Sequence, residues 1–266
     1  MARSALLNVM VNAALKAGRG LARDFGEIEN LQVSLKGPGN FVSAADHRAE
    51  GTLVAELKKA RPGYAFLTEE SGVIDGTDTT HRWIIDPLDG TTNFLHGIPL
   101  FSISLALERD GQIVAGVVYN PVMNELYTTE RGAGAFLNDR RLRVAGRKSL
   151  ADAVVCTGAP NVGIGTEMHV QFLAEMKAMM AKTAGVRRLG SAAIDLAWVA
   201  SGRLDGFWER GLKPWDMAAG LLLIREAGGR VTGIAGKDDA LETGQIVAGN
   251  ETMHAALLRE LAAATA

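Results

Sequence analysis

The chain has 266 residues, room at roughly 150 residues per domain for one large domain or two packed halves with a sizeable core. Hydrophobic residues make up 47% and charged residues 22%, which excludes a disordered or collagen-like polymer. Its 28 basic and 30 acidic residues leave a net charge of −2, so no global field draws in nucleic acid and no direct sequence-specific nucleic-acid binding is expected. The single cysteine, Cys156, rules out an internal disulfide, and with five scattered histidines it argues against structural zinc.

No apolar run approaches the ~20 residues that span a bilayer, so no membrane association is expected. Leu6, Met10, Ala14, Leu21 and Phe25 recur at helical spacing, which predicts an amphipathic first helix from about Ser4 to Phe25. Asn8 and Asn12 interrupt the stretch and no convincing cleavage site follows, so it reads as a helix of a cytoplasmic protein rather than a signal peptide. The Gly/Pro-rich KGPGN is expected to be a loop, leading into a second helix near Ser43 that carries Asp46. YAFLTEE reads as a buried strand ending at Glu69 and Glu70, and HRWIIDP as a strand ending at Asp86 and Pro87. In FSISLALERDGQIVAGVVYN, Asp110-Gly111 joins two β-rich runs in a type I′ hairpin, and ELYTTE and GAFLN continue the sheet. The first half is therefore expected to be α+β, with helices on a largely antiparallel sheet. From AVVCTG onward, strands alternate with helices and predict an α/β second half. The expected division is 1–147 and 148–266, with a site in the cleft between them.

DPLDGTTNF, Asp86 to Phe94, is the most informative segment. Asp, Pro and Gly are ordinary turn residues, yet a turn alone does not explain two acids three residues apart beside a strand end. Gly90 allows close backbone approach to a ligand, and Thr91 and Thr92 bring hydroxyls to a helix start suited to phosphate. Acids on neighbouring strand ends can meet, but alternation sends Glu69 and Glu70 to opposite sides, so one of them serves structure or faces solvent. Asp216, in KPWDMAAG, also has a plain explanation as a helix-start acid favoured by the dipole. Oxygen ligands with few His or Cys favour Mg²⁺, and converging carboxylates repel without cations. Two such ions can activate water and stabilise a leaving oxygen in phosphoryl transfer.

WIIDPLDGTTNF, preceded by LTEES and followed by WERGLKPWDMAAG, resembles the inositol monophosphatase family of Mg²⁺-dependent, lithium-sensitive phosphatases. FVSAADHRAE, RGAGAFLNDRRLRV and RRLGSAAIDLAWVASGRLDGFWE follow in family order, so the likeness covers nearly the whole chain. The GLKPWD variant is most similar to the bacterial SuhB-type branch. The resemblance implies a layered αβαβα sandwich of the sugar-phosphatase type, shared with fructose-bisphosphatase, with an α+β and an α/β half. It also implies two or three Mg²⁺ ions held by Glu69, Asp86, the carbonyl of Leu88, Asp89 and Asp216. Glu69 and Thr91 would activate water, with Asp46 as an acid near the metals and Lys36 in the entrance loop. Asp46 and Lys36 also read simply as a helix-start acid and a loop cation.

The resemblance further implies that Gly90 and Thr91 hold phosphate through their amides. Gly190, Ser191, Ala192 and Glu209 would face the polyol, with Glu69, Leu88, Asp89 and Asp216 completing the substrate contacts. Hydrolysis of myo-inositol 1-phosphate in a homodimer is the activity it implies. Histidinol phosphate, fructose 1,6-bisphosphate and 3′-phosphoadenosine 5′-phosphate are alternatives for the same metal motif. A SuhB-like partnership with RNA polymerase in transcription antitermination is another. Lys213-Pro214, which departs from animal members, leaves the preferred alcohol open. The five histidines read as surface or second-layer residues, and the four tryptophans as packing.

Overall fold

In the computed structural model, which describes residues 3–27, 33–37, 40–160 and 165–264 and only the backbone of 33–37 and 40–42, the N-terminal pattern is a helix as expected. α1 (Ala5–Phe25) is capped by Ser4, whose Oγ accepts the Leu7 amide at 3.0 Å, and it buries Leu7, Met10, Ala14, Ala17 and Leu21 along one face. The expected KGPGN loop is corrected in part. β1 (Val33–Gly37) and β2 (Asn40–Ser43) pair antiparallel on either side of Pro38 and Gly39, which lie outside the described residues. Backbone pairing extends into a segment whose glycines and proline signal only a turn. α2 (Ala44–Ala60) follows, and Ser43 is its cap.

The main sheet has eight strands: β3 (Ala65–Thr68), β4 (Gly72–Ile74), β5 (His81–Asp89), β6 (Ser102–Arg109), β7 (Gln112–Asn120), β8 (Glu125–Glu130), β9 (Gly134–Leu137) and β10 (Arg140–Arg141). Their order is β10-β9-β8-β7-β6-β5-β3-β4, antiparallel throughout except for β3 against β5. The β6–β7 hairpin turns at Asp110 (φ 50°) and Gly111 (φ 74°), the two positive values of a type I′ turn. A short α3 (Thr91–Leu95) follows β5 directly.

Downstream come β11 (Val154–Thr157), α4 (Thr166–Met180), β12 (Gly185–Arg187), α5 (Ala192–Ala200), β13 (Gly206–Arg210), α6 (Pro214–Glu226), β14 (Arg230–Thr232), α7 (Ala240–Thr243), β15 (Gln245–Gly249) and α8 (Glu251–Ala264). The five strands form a mixed sheet in the order β12-β11-β13-β15-β14. Side-chain alternation then builds the layers. Trp83 and Ile85 of β5 pack against α1 and α2, whereas Ile84 turns the other way, toward Leu196 of α5 and Leu223 of α6. Phe207 and Ile246 of the smaller sheet cover the other side of those helices. Trp208 and Val247 pack outward under Met179 of α4 and Leu257 of α8. The stack is α1α2, large sheet, α5α6, small sheet, α4α8: the five-layer sandwich expected from the sequence.

The middle layer positions the site, because α5 and α6 both begin at its edge. They approach closely at Gly220, where an added Cβ would lie 2.5 Å from that of Leu196. Replacing Gly220 with Val overpacks this crossing. Urea unfolding of Gly220→Val is expected to show a loss of about 1–3 kcal/mol, and an unchanged midpoint would contradict the close packing.

Candidate active site

A strand's side chains alternate, so Asp86 and Asp89 of β5 should face opposite ways. The pairing register shows why they do not. Asp86 lies opposite Ser104 and Asp89 opposite Ser102, so β5 holds one more residue than β6 over this span. That bulge contains Pro87, which has no N–H to leave unpaired, and it brings both acids to one cavity. Gly90 then turns the chain with φ 93°, and a Cβ there would lie 3.0 Å from the Leu100 carbonyl and 3.2 Å from that of Gly190. Asn93 fixes this approach by donating from Nδ2 to the carbonyls of Leu100 and Leu189, each at 2.7 Å.

The resulting cavity of about 240 Å³ is lined by Glu69, Asp86, Leu88, Asp89, Gly90, Thr91, Gly190, Ser191, Ala192, Glu209 and Asp216. It is near the lower end of the ~300–1,000 Å³ of small-molecule sites. Every expected site residue lines it except Asp46 and Lys36, whose side chain lies outside what is described. Glu69 lines the cavity and Glu70 does not; the expected strand ends earlier, at Thr68, so both stand in the turn after it, where the Glu70 amide donates to Glu50 at 2.9 Å. Asp46, 0% exposed, stands one layer back. Its Oδ2 accepts the Ser43 amide at 2.9 Å and hydroxyl at 2.6 Å, the helix-start role, while its Oδ1 accepts the Thr91 hydroxyl at 3.2 Å.

Each of the three aspartates is anchored through one oxygen. Asp86 Oδ1 accepts the Leu88 amide at 2.9 Å. Asp89 Oδ2 accepts the Ser191 hydroxyl at 2.5 Å and the Ala193 amide at 2.8 Å, at the start of α5. Asp216 Oδ2 accepts the Lys213 amide at 2.7 Å, at the start of α6. The acid that closes the helix start therefore also lines the cavity. Burial, followed by the charges of Glu69, Asp89 and Asp216, pushes Asp86 well above the usual carboxylate range. Burial also raises Asp89 to about 6, despite its hydrogen bonds from Ser191 and Ala193. Asp216 reaches about 8 through burial and then the charge of Asp89.

These acids have the chemistry of a hard divalent-cation site. One oxygen of each aspartate is held by the protein, which leaves the second oriented by the first. The Leu88 carbonyl lies among them, 3.1 Å from the Thr91 hydroxyl. Among the described residues no three His, Cys, Asp or Glu side chains are already drawn together as a finished metal cage, and Lys213 is an opposing charge at Asp216. The residues present fit a cation through their donor type and mutual repulsion.

Opposite these acids, Glu209 of β13 is pushed up by burial and then by Asp195, Asp216 and Asp89. Asp195 was not anticipated. It is 1% exposed in the first turn of α5, lines the same cavity, and its Oδ1 has no hydrogen-bond partner. An acid inside the otherwise apolar SAAIDLAWVA was the signal that could have revealed it. Arg188 and Gly158, also unanticipated, complete this wall. No histidine lines the cavity; His254 is wholly buried instead, with its Nε2 2.9 Å from the Thr232 hydroxyl.

Comparison with known proteins points in one direction along the whole chain. The model of the inositol monophosphatase family matches residues 2–266. A Mesorhizobium japonicum protein named inositol-1-monophosphatase is 68% identical over 97% of both chains. A Pseudomonas aeruginosa protein named Nus factor SuhB is 46% identical, covering 95% of this chain and 94% of its own. The crystal structure of the extragenic suppressor protein suhB from Bartonella henselae superposes with a TM-score of 0.94 at 57% identity, covering 97% of this chain and 98% of that one.

The repulsion has a sign that can be measured. A carboxyl raised on folding stabilises the fold below its unfolded value near 3.8, and the contribution is lost as pH rises through about 6 for Asp89 and about 8 for Asp216. In chelator, the melting temperature should therefore fall between about pH 4 and about pH 8. Asp89→Asn, which keeps an oxygen for Ser191 and Ala193, should flatten that fall and melt higher than wild type at the alkaline end. The same slope in both proteins would contradict the assignment.

Proposed function

Because the chain belongs to the inositol monophosphatase family, we propose that this phosphatase hydrolyses the phosphate monoester of a small polyol, myo-inositol 1-phosphate first among them. The observation that carries this reading is the set of three aspartates, each anchored through one oxygen, on the cavity that Glu209 also lines. Glu69, Asp86, the Leu88 carbonyl, Asp89 and Asp216 would hold two or three Mg²⁺ ions. When bound, they supply positive charge that makes water a stronger nucleophile and neutralises the phosphate and the departing oxygen.

The protein's own groups do the rest. The Thr91 hydroxyl has one proton and two acceptors within reach, Asp46 Oδ1 and the Leu88 carbonyl. A charged acceptor wins such a competition, so Asp46 acts as a positioning residue that draws the proton back. The Thr91 oxygen then accepts from the attacking water, and the Leu88 carbonyl is released for a cation. Glu69 receives the water's proton. The amides of Gly90 and Thr91 open α3 with no partner inside their own helix turn and support the phosphate. Gly190, Ser191 and Ala192 lie beside the alcohol, and the Glu209 carboxylate accepts from its hydroxyls. Covalent catalysis is not needed by this arrangement.

Lithium sensitivity, a homodimer and a cytoplasmic location belong to the same proposal, by likeness to the family. A second reading, a place in a transcription complex, is favoured by the Pseudomonas aeruginosa relative named as a Nus factor. Retained acids and a binding role are compatible.

Phosphate release across polyol, nucleotide, imidazole and aryl phosphates tests the reading. Inositol phosphate should lead the panel. Glu209→Gln should lower kcat/KM for it by about tenfold or more, since a hydrogen bond to a charged group is worth about 1.5–3 kcal/mol, while the aryl ester is little affected. Equal losses on both esters would remove Glu209 from the alcohol side, and a leading nucleotide or imidazole phosphate would replace the substrate.

A further inference from the structure

Gly158 follows the last residue of β11, next to the strand that carries Glu209, because Thr157 pairs with Trp208 in parallel register. Both residues line the cavity. A Cβ built on Gly158 would overlap Oε1, Cδ and Oε2 of Glu209, and those are its three nearest neighbours. The Glu209 carboxyl thus lies in the recess that a missing side chain leaves. The backbone at Gly158 does not require glycine, since its φ is outside the positive range taken by twelve other glycines among the described residues. What excludes a larger residue is the Glu209 carboxyl itself, the movable end of a long side chain.

There is a physical reason for the carboxyl to retreat. Asp195, Asp216 and Asp89 all act on Glu209 as like charges, and Arg188 is the opposing one. Asp195, on the same cavity, has a buried oxygen with no hydrogen-bond partner, so this wall has acceptors in excess of donors. A ligand rich in hydroxyl donors suits such a wall, and the position of the Glu209 carboxyl sets both the width left for it and the hydroxyl that is met.

We propose that Gly158 is a positioning residue for the leaving alcohol: by having no side chain it fixes where Glu209 stands, and so which alcohols the cavity accepts. The inference rests on the reading of Glu209 as the alcohol-side acceptor. Gly158→Ala removes no charge and no hydrogen-bonding group, and what its methyl must displace is that carboxyl. Its effect must therefore travel through Glu209.

The test is a double-mutant cycle in the full-length protein with saturating Mg²⁺, using Gly158→Ala, Glu209→Ala and both together. The readout is the ratio of kcat/KM for myo-inositol 1-phosphate to that for 4-nitrophenyl phosphate. Melting temperature is followed alongside. Gly158→Ala is expected to lower the ratio about tenfold, chiefly through KM for the inositol ester, with an unchanged melting temperature. In the Glu209→Ala background, where nothing fills the recess, the same substitution should change the ratio by less than about twofold. An undiminished ratio in Gly158→Ala, an equal drop with and without Glu209, or a Gly158→Ala protein that fails to fold would each overturn the inference. If Glu209→Ala alone leaves the ratio as in wild type, the fault lies in the underlying reading of Glu209, which the cycle separates from the role of Gly158.

Discussion

Like charges buried side by side are the constraint on which this molecule depends. Asp86 is 2% exposed, and it shares a wall with Asp89, Asp216 and Glu69 on which burial and the neighbouring charges raise the proton affinity of the three aspartates. Such a wall survives because the fold restrains it from behind. One oxygen of each aspartate is tied to an amide or hydroxyl, and two of those ties come from the first turns of α5 and α6, whose dipoles favour an anion. Helices that meet as closely as these do at Gly220 keep both anchors at one edge of the middle layer.

The same arrangement accounts for chemistry on both sides of the cavity. On one side, clustered carboxylates supply the oxygen donors that suit hard divalent ions. On the other, Glu209 and Asp195 present acceptors with Arg188 as their counter-charge, a wall suited to hydroxyl donors. Between them lie the turn at Gly90 and the Thr91 hydroxyl, joined to the α5 entrance through Asn93. A phosphate ester of a polyol has the polarity this sequence of surfaces calls for: anionic at the reacting end and rich in hydroxyls at the other.

Much of this was legible in the sequence, for reasons that differ from residue to residue. Helical spacing identified α1, and Asp110-Gly111 identified the hairpin, because both signals are local. DPLDGTTNF was legible as a site but not as a geometry. Strict alternation separates Asp86 from Asp89, and only the pairing of β5 with β6 reveals the extra residue that reunites them. Asp46 and Asp216 posed a choice between helix cap and site that local sequence could not make: in each, one oxygen caps a helix, while Asp216 also lines the cavity and Asp46 also accepts the Thr91 hydroxyl. Asp195 and Gly158 were missed because their meaning comes from what lies across the cavity. Nothing in SAAID or CTGAP says that a carboxyl from β13 stands there. The pairing around KGPGN was hidden similarly, behind residues whose local preference is a turn.

Cations and protons compete for one set of carboxylates at this cavity. Calorimetric titration of the chelator-stripped protein with Mg²⁺, in buffers of different ionisation enthalpy and between about pH 6 and pH 8, measures that competition directly. The account predicts that affinity rises with pH and that protons are released on binding, fewer of them as pH approaches 8, where Asp216 is half ionised without metal. Affinity independent of pH, with no proton released, would show that the acids are already fully charged and that their mutual repulsion does not govern the site.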